Sequence, residues 1–99
     1  MKRLEGSRIL SKHLTDELVI AALGFGAPDL YAAKDRPQNI YMQGGMSLAA
    51  PIGLGMALTV PDRKVVIVDG DGGLLMGLGI LATIAMEAPR NLVHLVWDN

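Results

Sequence analysis

The sequence predicts an α/β fold: an open, mostly parallel sheet with helices on both faces. Three observations carry this. Short apolar runs of strand length alternate with longer segments of helical character. The run at 64–68 (KVVIV) is the strongest strand, because β-branched side chains suit a pleated surface. Strand and helix follow one another as strand, helix, strand, helix, strand, helix, strand, the order that parallel pairing with crossover helices requires.

Each element has its own signal. Residues 8–14 read as a short amphipathic helix, with Ile9, Leu10 and Leu14 at helical spacing. Residues 18–22 form an apolar strand that ends at Gly24-Phe25-Gly26. Pro28 suits a first helical turn, so residues 28–34 form a helix, stopped by Asp35-Arg36-Pro37. Residues 39–42 are a second strand, followed by the loop Gln43-Gly44-Gly45-Met46-Ser47. Residues 48–60 form a helix that must begin near Leu48, since Pro51 fits only the first turn. After the turn at 61–63 and the strand at 64–68 comes the loop Gly70-Asp71-Gly72-Gly73. Residues 74–86 read as one buried helix containing Gly77 and Gly79. Each glycine there costs roughly 1 kcal/mol against alanine, a cost that implies close helix–sheet contact. Residues 92–97 are the last strand, and no covering helix follows, so the sequence predicts a domain cut short at its C-terminal end.

Composition bounds the function. The chain has 99 residues, room for one small domain. Nine basic and ten acidic side chains leave a net charge of -1, which argues against a nucleic-acid partner. Half the residues are hydrophobic (51%) but only 4% are aromatic, so the core is aliphatic and rich in small side chains. There is no cysteine, which excludes disulfides and cysteine-held zinc or iron–sulfur clusters and fits a cytoplasmic setting. The first twenty residues lack the apolar run and cleavage site of a signal peptide. Residues 37–61 carry no charge and are long enough to span a bilayer, yet Pro51 and the Gly44-Gly45 break divide them into a buried strand, a loop and a buried helix, so no membrane partner is expected.

The site chemistry starts at the strongest strand. Ligands of open parallel sheets bind beyond the carboxyl ends of the strands. Gly70, Gly72 and Gly73 let a phosphate approach the backbone there, and a helix start favours an anion. Asp71 would repel a bare phosphate, so a hard cation between the two makes sense of it; Mg²⁺ shares its oxygen ligands in this way. The last strand, if parallel, delivers Asp98 and Asn99 to the same edge, 28 positions after Asp71.

Gly-Asp-Gly followed at this distance by asparagine resembles the metal–diphosphate motif of thiamine diphosphate enzymes. The resemblance implies Asp71 and Asn99 as two of three protein ligands to Mg²⁺, the third being a backbone carbonyl two positions beyond Asn99. A second stretch, QGGMSLAAPIGLGMAL, resembles the family's Gly-x-hydrophobe loop. It implies that the Gly44 carbonyl receives the aminopyrimidine and that Met46 wedges beneath the bent cofactor. The N-terminal half resembles the sulfopyruvate and phosphonopyruvate branch of the decarboxylases, with Gly24 and Gly26 lining the diphosphate end. Relatives tend to place a hydroxyl shortly after the Gly-Phe, where this chain has Gly26 and Ala27, which weakens a side-chain phosphate contact there and leaves the backbone N–H groups to serve.

The resemblance thus implies residues 1–99 as the N-terminal portion of the diphosphate-binding domain of a 2-oxoacid decarboxylase, with thiamine diphosphate and Mg²⁺ as cofactors. The substrate implied is a small 2-oxoacid with a second anionic group. No residue matches the family's activating Glu, so this chain holds no catalytic residue of its own. That Glu is expected on a pyrimidine-binding partner, and with Met1 directly before the domain the partner is expected as a separate subunit of a hetero-oligomer. The alternatives are a non-catalytic or regulatory cofactor-binding subunit, or the same domain of an acetolactate synthase or a 2-oxoacid oxidoreductase. Among the remaining residues, Asp69 is a rival ligand better read as capping its strand. His94 reads as a hydrogen-bonded structural group, His13 as helix surface, Met76 and Met86 as core, and Tyr31 and Trp97 as packing groups.

Overall fold

The computed structural model describes residues 2–98. Its nine elements are α1 (Arg3–His13), β1 (Leu18–Ala21), α2 (Gly26–Ala33), β2 (Asn39–Tyr41), α3 (Ala49–Thr59), β3 (Val65–Gly70), α4 (Asp71–Met76), α5 (Ile80–Glu87) and β4 (Leu92–Trp97). The four strands form one sheet in the order β2-β1-β3-β4, every pair parallel. The sheet is therefore fully parallel, as the alternation of elements requires. Chain connections diverge from the centre: β1 leads outward to β2, and β3 leads the other way to β4. Between β1 and β3 lies the point where the direction of winding switches, the place where such sheets open a crevice.

Alternate residues of the strands feed two cores. Val19, Ala21, Val66 and Val68 face one side, where Leu14 at the end of α1 and Ala27 and Leu30 of α2 cover them. Ile20 and Ile67 face the other side, where Ala49 and Ala50 of α3 pack, with Ile80 of α5 against them. Helices thus cover both faces, as expected. The central strands are apolar on both faces because both faces are covered. Gly53 lets α3 lie directly on the sheet: a Cβ there would stand 2.4 Å from Ile67 Cγ1.

Several boundaries differ from the sequence expectation. Helix α1 begins at Arg3, five residues early, and buries Gly6, Ser7 and Ser11 instead of Ile9, which is exposed. Small side chains let α1 approach α2 closely, a face that apolar periodicity does not reveal. The expected helix at 74–86 is two helices. Gly77 ends α4, with a Cβ there only 2.9 Å from that of Ser47, and α5 restarts after Gly79. The expected loop at 70–73 is the last residue of β3 followed by the first turn of α4. Met76 and Met86 are not core: they are 67% and 79% exposed, as α4 and α5 lie over the sheet with one face uncovered. Tyr31 is likewise exposed, its ring edge-on to Tyr41 at 5.7 Å.

Two polar anchors hold the connections. Buried Arg36 donates to the carbonyls of Thr15 and Glu17 and to Asn39 Oδ1, tying the α1–β1 turn to the start of β2. Asn91 Nδ2 donates among the carbonyls of Ala57, Val60 and Arg63, closing the end of α3 onto the entry to β4. Arg63 reaches the Asp16 carbonyl across the same end of the sheet. Among the described residues no helix is long and apolar enough to cross a membrane.

Candidate functional site

At the carboxyl ends of β1, β3 and β4 the chain opens a cleft of about 260 Å³. Its walls are the β1–α2 connection from Ala22 to Gly26, the loop Gly45–Ser47, the segment from Asp69 to Gly73, and Arg3 and Trp97 at the sides. The parallel register explains this convergence. Ala21 pairs with Val68 and Gly70 with Trp97, so all three strands release their chains at one edge.

Two glycines of the Gly70-Asp71-Gly72-Gly73 segment sit in close contacts. A Cβ at Gly73 would stand 2.9 Å from Asp69 Oδ1, and one at Gly72 would stand 3.3 Å from Met46 Cε. The Met46 side chain therefore reaches across to the first turn of α4, and the two loops face each other over the cleft. Gly45 has φ +71° and Gly24 φ +91°, left-handed conformations that favour glycine at both bends. Ser47 adopts φ 76° without that freedom, a strained turn that sets its side chain against Gly77.

Three charged side chains border the cleft: Arg3, Asp69 and Asp71. Asp71 opens α4 and is partly exposed, with Oδ1 accepting the Gly72 N–H at 2.9 Å. Asp69 is buried behind it. Its Oδ1 accepts the Gly70 N–H at 2.9 Å, and its Oδ2 lies 3.0 Å from His94 Nε2 on the neighbouring strand. A carboxylate oxygen accepts, so Nε2 carries the hydrogen. Arg3 stacks 4.6 Å above the Phe25 ring and joins Asp29 at 2.6 Å, which fixes the guanidinium at the rim. Among the described residues no three His, Cys, Asp or Glu side chains converge as an all-protein metal cage. Beside the cleft, sharing Leu23 and Gly24 with it, a more open hollow of about 530 Å³ is lined by Ala27, Pro28, Tyr31, Tyr41, Met42 and Gln43. Burial raises the Tyr41 phenol above its ordinary pKa; its hydroxyl meets Asn39 Nδ2 and Asp35 Oδ1.

Of the residues singled out in the sequence, the structure gathers Gly24, Gly26, Met46, Gly70, Asp71, Gly72 and Gly73 around one cleft. Gly44 is exposed one position outside its wall. Asn99, the expected second metal ligand, lies outside the described residues. Trp97, two positions earlier, is opposite Gly70, so β4 leads toward the edge where Asp71 stands. The sequence reading gave no part to Arg3 or Ser47 and took Trp97 only as packing. Nothing in local periodicity links α1 to a strand end some seventy residues on. The Asp69–His94 pair had a signal: Asp69 is the one charged residue of an otherwise apolar strand, and His94 is the one ionisable residue within β4.

A fully parallel sheet with a glycine-lined, carboxylate-bearing cleft at its winding switch defines a nucleotide- or diphosphate-binding α/β domain. Residues 24–99 match the family described as the thiamine pyrophosphate enzyme, C-terminal TPP binding domain, and the chain belongs to that family. Among its relatives, the sulfopyruvate decarboxylase subunit beta of Methanothermobacter thermautotrophicus is 46% identical over 99 residues, all of this chain and 53% of the relative. The phosphonopyruvate decarboxylase of Streptomyces viridochromogenes is 51% identical over 92 residues, 93% of this chain and 23% of the relative. An acetolactate synthase of Arabidopsis thaliana is 35% identical over 81 residues, 75% of this chain and 12% of the relative. The chain thus spans about half the length of the first of these and less of the others.

Proposed function

We propose that this chain supplies the diphosphate- and Mg²⁺-binding part of a thiamine diphosphate-dependent decarboxylase acting on sulfopyruvate or phosphonopyruvate. The observation that carries this is the pairing of two loops across one cleft. The Gly-Asp-Gly segment at the end of β3 faces the Gly45–Ser47 loop, with Met46 Cε 3.3 Å from where a Gly72 Cβ would sit. The donor set fits the group: glycine backbone that an anion can approach, and one partly exposed carboxylate to share a hard cation with it. The names of the relatives support the substrate class, and the word subunit in one of them supports a separate partner chain.

In this reading Asp71 holds Mg²⁺, with Asn99 as a second ligand, and through the metal the diphosphate. Gly70, Gly72 and Gly73 let phosphate oxygens reach the backbone, and Gly24 and Gly26 border the same end. Met46 would offer the cofactor an apolar wall, and the Gly44 carbonyl would receive its aminopyrimidine. Bound there, thiamine diphosphate supplies an electron sink for the pair released as CO₂ leaves a 2-oxoacid. This chain anchors and orients; the activating Glu comes from a pyrimidine-binding partner, so the working enzyme is a hetero-oligomer.

The test has two arms. Asp71→Ala removes the carboxylate and is expected to abolish Mg²⁺-dependent thiamine diphosphate binding, followed by quenching of Trp97, the one tryptophan of this chain. Binding that still depends on Mg²⁺ in that variant refutes the metal assignment. In the assembled enzyme, CO₂ release is measured from sulfopyruvate and from phosphonopyruvate. Release from neither, with cofactor bound, overturns the decarboxylase reading in favour of a regulatory cofactor-binding subunit.

A further inference from the structure

Asp69 is a buried carboxylate that the proposed function leaves unused. It is 3% exposed, is the penultimate residue of β3 on the face shared with Ile67, and lies beside the segment that presents Asp71. Its two oxygens do different things. Oδ1 accepts the Gly70 N–H at 2.9 Å and lies so close under Gly73 that no Cβ fits between them. Oδ2 meets His94 Nε2, on the neighbouring strand β4, at 3.0 Å. His94 sits on β4 opposite Ile67, two residues back from the Asp69–Val96 pairing, so the imidazole reaches diagonally along one face. Its side chain is 13% exposed and that of Asp69 is 2% exposed, which leaves this carboxylate little access to solvent. A carboxylate so buried needs a partner, and His94 is the side chain that supplies one. The carboxylate in turn engages the Gly70 N–H, in the peptide that joins Asp69 to Gly70, one peptide before the Gly70–Asp71 link.

We propose that Asp69 and His94 are positioning residues for the metal-binding turn. The His94–Asp69 hydrogen bond holds the carboxylate under Gly70 and Gly73, and so fixes the direction in which Asp71 faces the cleft. This rests on the reading of Asp71 as a metal ligand. Groups that orient a ligand from behind are worth about 10- to 100-fold in metal affinity in other sites.

The test uses the native holoenzyme and measures the Mg²⁺ concentration that half-saturates thiamine diphosphate binding. His94→Leu removes the donor and is expected to raise that concentration at least about tenfold. His94→Gln, which returns an N–H donor near the position of Nε2, is expected to restore it to within about threefold of wild type. Wild-type Mg²⁺ dependence in His94→Leu overturns the proposal. So does equal weakening of both variants, which would make His94 a packing residue. If His94→Leu does not fold, Asp69→Asn is measured instead: it keeps an oxygen for Gly70 but removes the charge, and unchanged Mg²⁺ dependence there overturns the proposal as well. Asp71→Ala run in parallel separates the two readings. Loss of Mg²⁺ dependence in Asp71→Ala with none in the His94 variants overturns the positioning role alone, whereas Mg²⁺ dependence surviving in Asp71→Ala overturns the metal site beneath it.

Discussion

Replacing Gly53 by alanine measures how closely α3 must approach the sheet. A Cβ there would meet Ile67 Cγ1 at 2.4 Å, Ile67 Cδ1 at 2.7 Å and Ile20 Cγ2 at 3.3 Å. Carbon atoms prefer separations of about 3.5–4.0 Å, so helix and strand must part by about 1 Å. Ile67 cannot swing aside, because it and Ile20 are wholly buried and Cγ1 is the first atom beyond its own Cβ. Overpacking of this kind costs about 1–3 kcal/mol, and a contact this short belongs near the upper end. Alanine returns about 1 kcal/mol of helix propensity, leaving a net loss of about 2 kcal/mol. Gly55 is the internal control. It lies two residues on in the same helix with nothing within 4 Å, so Gly55→Ala is expected to stabilise by about 0.4–1 kcal/mol. Urea unfolding with unchanged m-values reads both, and the variants should differ by about 3 kcal/mol with opposite signs. A Gly53→Ala protein as stable as Gly55→Ala would refute the close packing of α3.

Two further outcomes follow from polar contacts. The Glu17 carboxylate is held at about pKa 2, from an ordinary 4.5, by the Thr15 N–H first, then its own backbone N–H, the Thr15 hydroxyl and Arg36; burial opposes them. The unfolded chain therefore binds this proton more tightly. The stabilisation is complete above the ordinary value and fades as pH falls toward about 2, so the gap between wild type and Glu17→Gln should close over that window in pH-dependent urea titrations; a gap independent of pH would refute it. Asn91→Asp would set a carboxylate among three carbonyls that now share one NH₂ group at 2.7–3.2 Å, and should cost about 2–3 kcal/mol; an unchanged urea midpoint would refute the anchoring role.

The sheet was legible in the sequence because its signals are local. Val65, Val66, Ile67 and Val68 declare a buried strand by side-chain type, and the turn residues between elements space the strands for parallel pairing. What stayed hidden depends on distant neighbours. Helical periodicity runs unbroken through 74–86, yet Gly77 must clear Ser47, thirty positions earlier, and the helix breaks there. Met76 and Met86 read as core because hydrophobicity reports that a side chain would gain from burial, not that anything lies over it. Arg36 read only as part of the stop after a helix and Asn91 drew no reading, since a polar side chain capping remote carbonyls leaves no pattern nearby. Of the cleft wall, residues Gly70 to Gly73 were legible as one segment because their glycines and Asp71 are contiguous. Arg3 was not, because its place at the cleft depends on how α1 lies over Phe25.

The winding switch between β1 and β3 also constrains how the protein folds. Val19 pairs with Val66, and the cleft walls at the ends of β1, β3 and β4 come together through that non-local pairing and the β3–β4 pairing that follows it. Parallel pairing across so long a loop is slow, because the entropy of closure is lost before contacts compensate. No cleft exists until it is made, so a ligand of the cleft has nothing to bind in the nascent chain. It should leave the refolding rate unchanged and slow unfolding instead, which makes the holoprotein's persistence a property of its exit barrier. Stopped-flow refolding with and without cofactor would show this directly, and faster refolding with cofactor would contradict it.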